Sequence, residues 1–136
     1  MCIRDSRTHY APDGTWASDV RRRRFPIVGK GTGVFSFVHV DDAASATLAA
    51  VEGGTGAYNV CDDEPAPLSE WLPAYAAALG AKPPRRVPVW LARLIAGKEV
   101  AQMATRLEGA SNAKVKRELG WQPRYTSWRQ GFRDLA

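Results

Sequence analysis

Gly31-Thr-Gly-Val-Phe-Ser-Phe-Val-His-Val-Asp-Asp-Ala-Ala44 decides the fold. A glycine turn leads into an aromatic and β-branched run, Phe35 to Val40, and Asp41 or Asp42 then opens a helix. This pattern predicts a buried strand passing directly into an acid-capped helix, which is α/β architecture. The helix is alanine-rich (Ala43, Ala44, Ala46, Ala49, Ala50), with Leu48 and Val51 among its apolar positions. Small residues let such a helix lie close on a sheet, and Gly53-Gly54 is expected to end it in a left-handed turn.

Working outward, Thr15 to Arg24 reads as a short helix capped by Thr15, with Trp16 and Val20 on one face. Phe25 to Val28 and Ala57 to Cys61 read as strands. Ser69 is expected to cap a helix to Leu79 that buries Trp71, Leu72, Tyr75 and Leu79 and stops at Gly80. Lys82 to Pro88 is extended. Helices follow over Val89 to Ala96, Glu99 to Leu107 and Ser111 to Leu119, and a last one from Thr126 or Ser127 to Leu135. A strand-helix-strand crossover of this length implies parallel pairing and a sheet covered on both faces. Two or three strands are a poor sheet alone, so partners from an N-terminal half are expected.

The chain has 136 residues, 45% apolar and 24% charged, which suits one soluble globular domain rather than a disordered segment. No apolar run approaches the roughly 18 residues that span a bilayer. Arg4, Asp5 and Arg7 interrupt any secretory leader at once. Cys2 and Cys61 make neither a disulfide framework nor a metal knuckle. A cytoplasmic location with no membrane partner is expected. The net charge is +5, and Arg21 to Arg24 form the densest basic run. No aromatics interleave with those arginines to stack bases, so a solvated helix end beside its own carbonyls explains them better than nucleic acid does.

Residues that invite chemistry have simpler readings beside them. A dinucleotide fingerprint needs its glycines after a strand and at the start of a helix. Gly29-Lys-Gly-Thr-Gly33 lies between strands, and Gly53-Gly-Thr-Gly56 follows a helix, so both read as turns. No tyrosine has a lysine four places on: Gly14, Asp62, Leu79 and Arg129 follow Tyr10, Tyr58, Tyr75 and Tyr125. A tyrosine with a pKa near 10 is then a poor proton relay. His39 reads as a hydrogen-bonded structural histidine rather than a catalytic or metal group. Asp41 and Asp42 could ligate a metal, but capping explains them with less. Asp62-Asp63-Glu64 follows a strand at the end where open α/β sheets bind ligands, so it keeps a functional reading. Cys61 reads as a small buried hydrophobe.

Taken in order, several segments resemble the C-terminal half of the NAD-dependent epimerase/dehydratase family, the extended short-chain dehydrogenases/reductases. They are Tyr10-Ala-Pro12, Phe25 to Gly31, Gly33 to Ala44, Ala57 to Pro65, Ser111 to Pro123 and Trp128-Arg-Gln-Gly-Phe132. The resemblance implies a C-terminal fragment of a Rossmann-like α/β fold, with few strands plus a helical substrate-binding subdomain. It implies NAD or NADP as cofactor of the intact parent, a small-molecule substrate and a homodimer. Tyr10 and Pro12 would lie on the cofactor side, and Phe35, Ser36, Lys30 and Arg106 would face substrate. Members acting on nucleotide sugars carry an arginine where this chain has Phe35. A ring cannot replace a bidentate guanidinium on a diphosphate, so a less anionic, more apolar substrate is expected.

The family's cofactor loop and its Tyr-x-x-x-Lys pair lie upstream of this half, and neither is in this sequence, so the fragment alone is expected to be inactive. The rival readings are a basic nucleic-acid-binding module built on Arg21 to Arg24 and a non-catalytic interaction protein using an exposed sheet edge. The first six residues, Met-Cys-Ile-Arg-Asp-Ser, resemble the translation of a transposon end used in sequencing libraries. Residues 1–6 are therefore expected to be a non-native leader, and 7–136 the incomplete substrate-binding portion of one enzyme.

Overall fold

The computed structural model describes the backbone of residues 2–4, and residues 9–11, 14 and 16–135. The expected Thr15 cap lies outside the described residues. The strands are β1 (Cys2–Arg4), β2 (His9–Tyr10), β3 (Ile27–Val28), β4 (Val34–Phe35), β5 (Val38–His39), β6 (Ala57–Asn59), β7 (Ala66–Pro67) and β8 (Arg86–Val87). The helices are α1 (Ala17–Arg21), α2 (Val40–Gly53), α3 (Leu68–Ala78), α4 (Val89–Ala96), α5 (Lys98–Arg106), α6 (Ala113–Leu119) and α7 (Trp128–Arg133). This is mixed α/β with short strands and a helical remainder.

The strands form four two-stranded ladders. β1 pairs with β6, β2 with β5 and β3 with β8, all parallel, while β4 and β7 are antiparallel. The crossover through α2 therefore does not pair β5 with β6; each takes an upstream partner instead. The strand expected over Phe35 to Val40 is broken between β4 and β5. There Ser36 turns aside: its hydroxyl accepts the Ala110 N–H at 2.7 Å and donates to the Ala110 carbonyl at 3.2 Å.

The caps differ from expectation in an instructive way. His39, not an aspartate, caps α2, its Nδ1 accepting the Asp41 N–H at 3.2 Å. Asp42 is buried and accepts the N–H groups of Arg124 and Tyr125 at 2.8 and 2.9 Å, so it staples α2 to the turn after Trp121. α2 closes on an extended Gly54 (φ −83°) whose absent Cβ makes room for the Ala50 carbonyl, not on a left-handed residue. α3 starts one residue before Ser69, with Pro67 at its cap, and α6 starts after Asn112 rather than at Ser111. Ser127 does cap α7, accepting the Arg129 N–H.

Trp71, with no exposed surface, is the centre of the larger core. Phe37 meets it edge-on at 5.1 Å, Phe35 tilts against it at 5.3 Å, and Trp16 stacks on it at 5.7 Å. Such ring pairs contribute roughly 0.5–1.5 kcal/mol each beyond their burial. A smaller core of Val38, Ala46, Tyr58, Val60, Val115 and Trp121 lies between α2 and α6, and the Trp121 indole N–H donates to Ser45 at 2.9 Å.

α7 comes so close to β2 that position 131 must be glycine. A Cβ there would stand 2.1–2.4 Å from the ring and hydroxyl of Tyr10. Tyr10 is itself held edge-on against Phe132 and His39, so yielding to a Cβ would disturb both ring contacts. Gly131→Ala is expected to destabilise the chain by about 2 kcal/mol through overpacking, seen as a lower urea midpoint with an unchanged slope.

Candidate functional site

An apolar cavity of about 180 Å³ opens between the β3–β4 region and the α4–α5 pair. Phe25, Val28 and Phe35 form one wall, Leu91 and Ile95 of α4 the opposite one, and Met103 of α5 lies across them. Among the described residues that line it, Arg24 alone is charged. The wall has a simple origin: α4 (Val-Trp-Leu-Ala-Arg-Leu-Ile-Ala) is apolar on nearly every side, so it can line a cavity with one face while exposing another. A continuous apolar helix is the signal from which this wall could have been read.

Phe35 is 2% exposed and belongs to the cavity wall. Ser36 is buried too, on the other side of the chain, where it braces the Ala110 backbone. Lys30 and Arg106 are exposed and do not line the cavity. Their segments adjoin, because Thr32 donates its hydroxyl to the Thr105 carbonyl at 2.9 Å and the Gly33 N–H bonds Ala104.

Tyr10 lines a second, smaller cavity of about 70 Å³ with Phe37, Trp71 and Phe132. Its walls are mostly the aromatic side chains of the larger core. The Tyr10 hydroxyl is buried without a hydrogen-bond partner, and burial pushes its pKa well up. Pro12 lies outside the described residues.

The loop after β6 is structural in most of its contacts. The Asn112 amide donates to the carbonyls of Cys61 and Asp62 and to the Asp63 carboxylate. Glu64 takes the Ser127 hydroxyl and the Arg129 guanidinium, which also bonds Glu70. Burial raises the Cys61 thiol to about 11. Asp62 differs: one oxygen accepts the Glu64 N–H, the other is buried with no partner, and burial pushes its pKa up to about 7. Among the described residues no His, Cys, Asp and Glu cluster could hold a metal.

Over 126 residues, 92% of its length, the chain is 47% identical to the 3-diazoavenalumate denitrifying reductase of a Streptomyces species, of which the match covers 41%. It also superposes over 98% of its length on the human epimerase family protein SDR39U1 solved with NADPH, with a TM-score of 0.77 and 20% identity, covering 47% of that chain. This chain has the fold of the C-terminal part of the extended short-chain dehydrogenases/reductases. The extended-dehydrogenase fold is shared with dTDP-glucose 4,6-dehydratase of Bacillus anthracis, solved with NAD (TM-score 0.70, 21% identity, 98% of this chain and 42% of that one). No family model matches the sequence. The chain spans less than half the length of these relatives. Among the described residues no helix is long and apolar enough to cross a membrane.

Proposed function

We propose that residues 7–136 are the substrate-side portion of an NAD- or NADP-dependent reductase, residues 1–6 being a non-native leader. The 47% identity to a curated reductase along 92% of the chain is the observation that carries this reading. When bound, the nicotinamide would supply a hydride, held by residues outside this chain. This chain would contribute the cavity of Phe25, Val28, Phe35 and α4, where an apolar, planar substrate body fits. Arg24 at that cavity offers a guanidinium to a carboxylate, with Lys30 and Arg106 further out. Tyr10 and Pro12 would stand toward the cofactor side. Phe35 in place of a phosphate-gripping arginine argues against a nucleotide-sugar diphosphate.

The test joins the chain to the coding sequence found upstream in its genome and assays nicotinamide oxidation with an aromatic diazo acid and with dTDP-glucose. Turnover of the diazo acid alone is expected, with none by the 136-residue chain. Arg24→Ala is expected to raise KM about tenfold, a loss of roughly 1.4 kcal/mol for one charge-assisted contact. Turnover of dTDP-glucose, or an upstream locus without a nicotinamide-binding half, would overturn the reading.

A further inference from the structure

Two stretches of this chain carry cations without a single carboxylate: residues 20–40, with Arg21 to Arg24 and Lys30, and residues 71–98, with Lys82, Arg85, Arg86, Arg93 and Lys98. The fold brings them together. β3 and β8 pair in parallel with Ile27 opposite Arg86, the Ile27 N–H bonds the Arg85 carbonyl, and Arg23 donates to the Pro83 carbonyl. Among the described residues, none of these cations has a carboxylate within ion-pair distance, whereas Lys116, Arg117 and Arg129 all do. The result is a strongly basic lobe, bordered by Asp19 and Glu99, on a chain whose remaining charge is net acidic.

β8 runs directly into α4, so the apolar ridge of that helix rises out of this lobe. Trp90, Leu94 and Ile95 are 65, 81 and 76% exposed. Arg24 from the basic turn and Ile95 from the ridge line the same cavity, which fixes the two features side by side. An aromatic-aliphatic ridge ringed by unpaired arginine and lysine matches an interface of headgroups and acyl chains, where tryptophan settles at the boundary and cations meet anionic lipid. A second copy docked about a two-fold axis would set one basic lobe against another. Nucleic acid would leave Leu94 and Ile95 facing phosphate, with Trp90 as the one exposed ring of the ridge on which a base could stack.

We propose that the α4 ridge and its surrounding basic lobe are a docking surface for an anionic lipid bilayer. The contact is interfacial: Trp90, Leu94 and Ile95 enter the headgroup–acyl boundary, and Arg85, Arg86 and Arg93 take lipid phosphates. Such a surface would place the mouth of the apolar cavity against the phase in which apolar molecules concentrate. The inference stands apart from the reductase reading, since it needs neither cofactor nor turnover.

Flotation of the 136-residue chain with vesicles of phosphatidylcholine and phosphatidylglycerol tests it. Binding is expected to the mixed vesicles, at least about tenfold weaker to phosphatidylcholine alone, and lost as salt rises. Leu94→Asp, at an exposed site outside the core, should cut binding about tenfold, as should Arg85→Glu with Arg86→Glu, with near-ultraviolet dichroism unchanged. No flotation with the mixed vesicles would overturn the proposal. So would flotation indifferent to Leu94→Asp, a dimer in sedimentation velocity that Leu94→Asp dissolves, or binding to a duplex oligonucleotide without binding to vesicles.

Discussion

Replacing Asp42 by alanine is expected to lower the stability of the chain by about 4 kcal/mol, at roughly 1.5–3 kcal/mol for each charge-assisted hydrogen bond lost. The carboxylate is 3% exposed and takes the backbone N–H groups of Arg124 and Tyr125, one on each oxygen. Alanine would leave both donors, in a half-buried turn, without their acceptor. Asparagine would not rescue them, because its amide nitrogen would confront one N–H with another. The contact joins positions 82 and 83 residues apart, so it fixes the approach to α7 against α2. Urea titration of the wild type and both variants measures the effect. A loss under 1 kcal/mol in Asp42→Ala would show that the turn after Trp121 is held by packing alone.

The second large effect is a pH dependence that originates at Asp62. Burial is the largest cause that pushes its pKa in the folded chain up to about 7, from the ordinary carboxyl value of 3.8. A carboxyl raised on folding binds its proton more tightly in the native state. Its stabilising contribution is therefore complete below about pH 4 and is lost as pH rises through 7. Between pH 5 and pH 8 the chain should lose about 2.5 kcal/mol from this group. Asp62→Asn removes the titration and should flatten that slope, leaving the variant the more stable protein at pH 8. Glu64 titrates the other way, held down by the Ser127 hydroxyl and Arg129 although partial burial opposes the shift. Its loss of stability begins only in acid, below the window used for Asp62. Equal slopes for wild type and Asp62→Asn over pH 5–8 would show that the buried oxygen finds a solvent path.

Most helices were legible in the sequence because punctuation and periodicity agreed. Gly80, Gly97 and Gly120 follow the ends of α3, α4 and α6, and Ser127 opens α7. The strands were less legible. Runs such as Phe35 to Val40 announce burial, but burial comes equally from a ladder or from an aromatic core, and here β4 and β5 share the run between two different partners. Which strand pairs with which depends on residues far apart in the chain, and local pattern carries none of that. Asp42 shows the same limit at one side chain. An aspartate at a helix start reads as a cap, and only the fold reveals that the two donors it serves lie beyond Trp121. The cavity was half legible: Phe35 followed from the departure at one family position, whereas Leu91, Ile95 and Met103 became neighbours of it only through the packing of α4 and α5 on β3 and β4.

Among the described residues no ladder is a local hairpin, and this governs the order in which the fold can form. Ile27 waits for Arg86, Val38 pairs backward to His9, and Tyr10 cannot be enclosed until Phe132 has been synthesised. Until α7 has emerged, Tyr10 and Phe37 thus lack the ring of Phe132 that packs against both. Cutting the chain before Trp128 should leave a sticky, chaperone-bound intermediate, even though the segment removed is small.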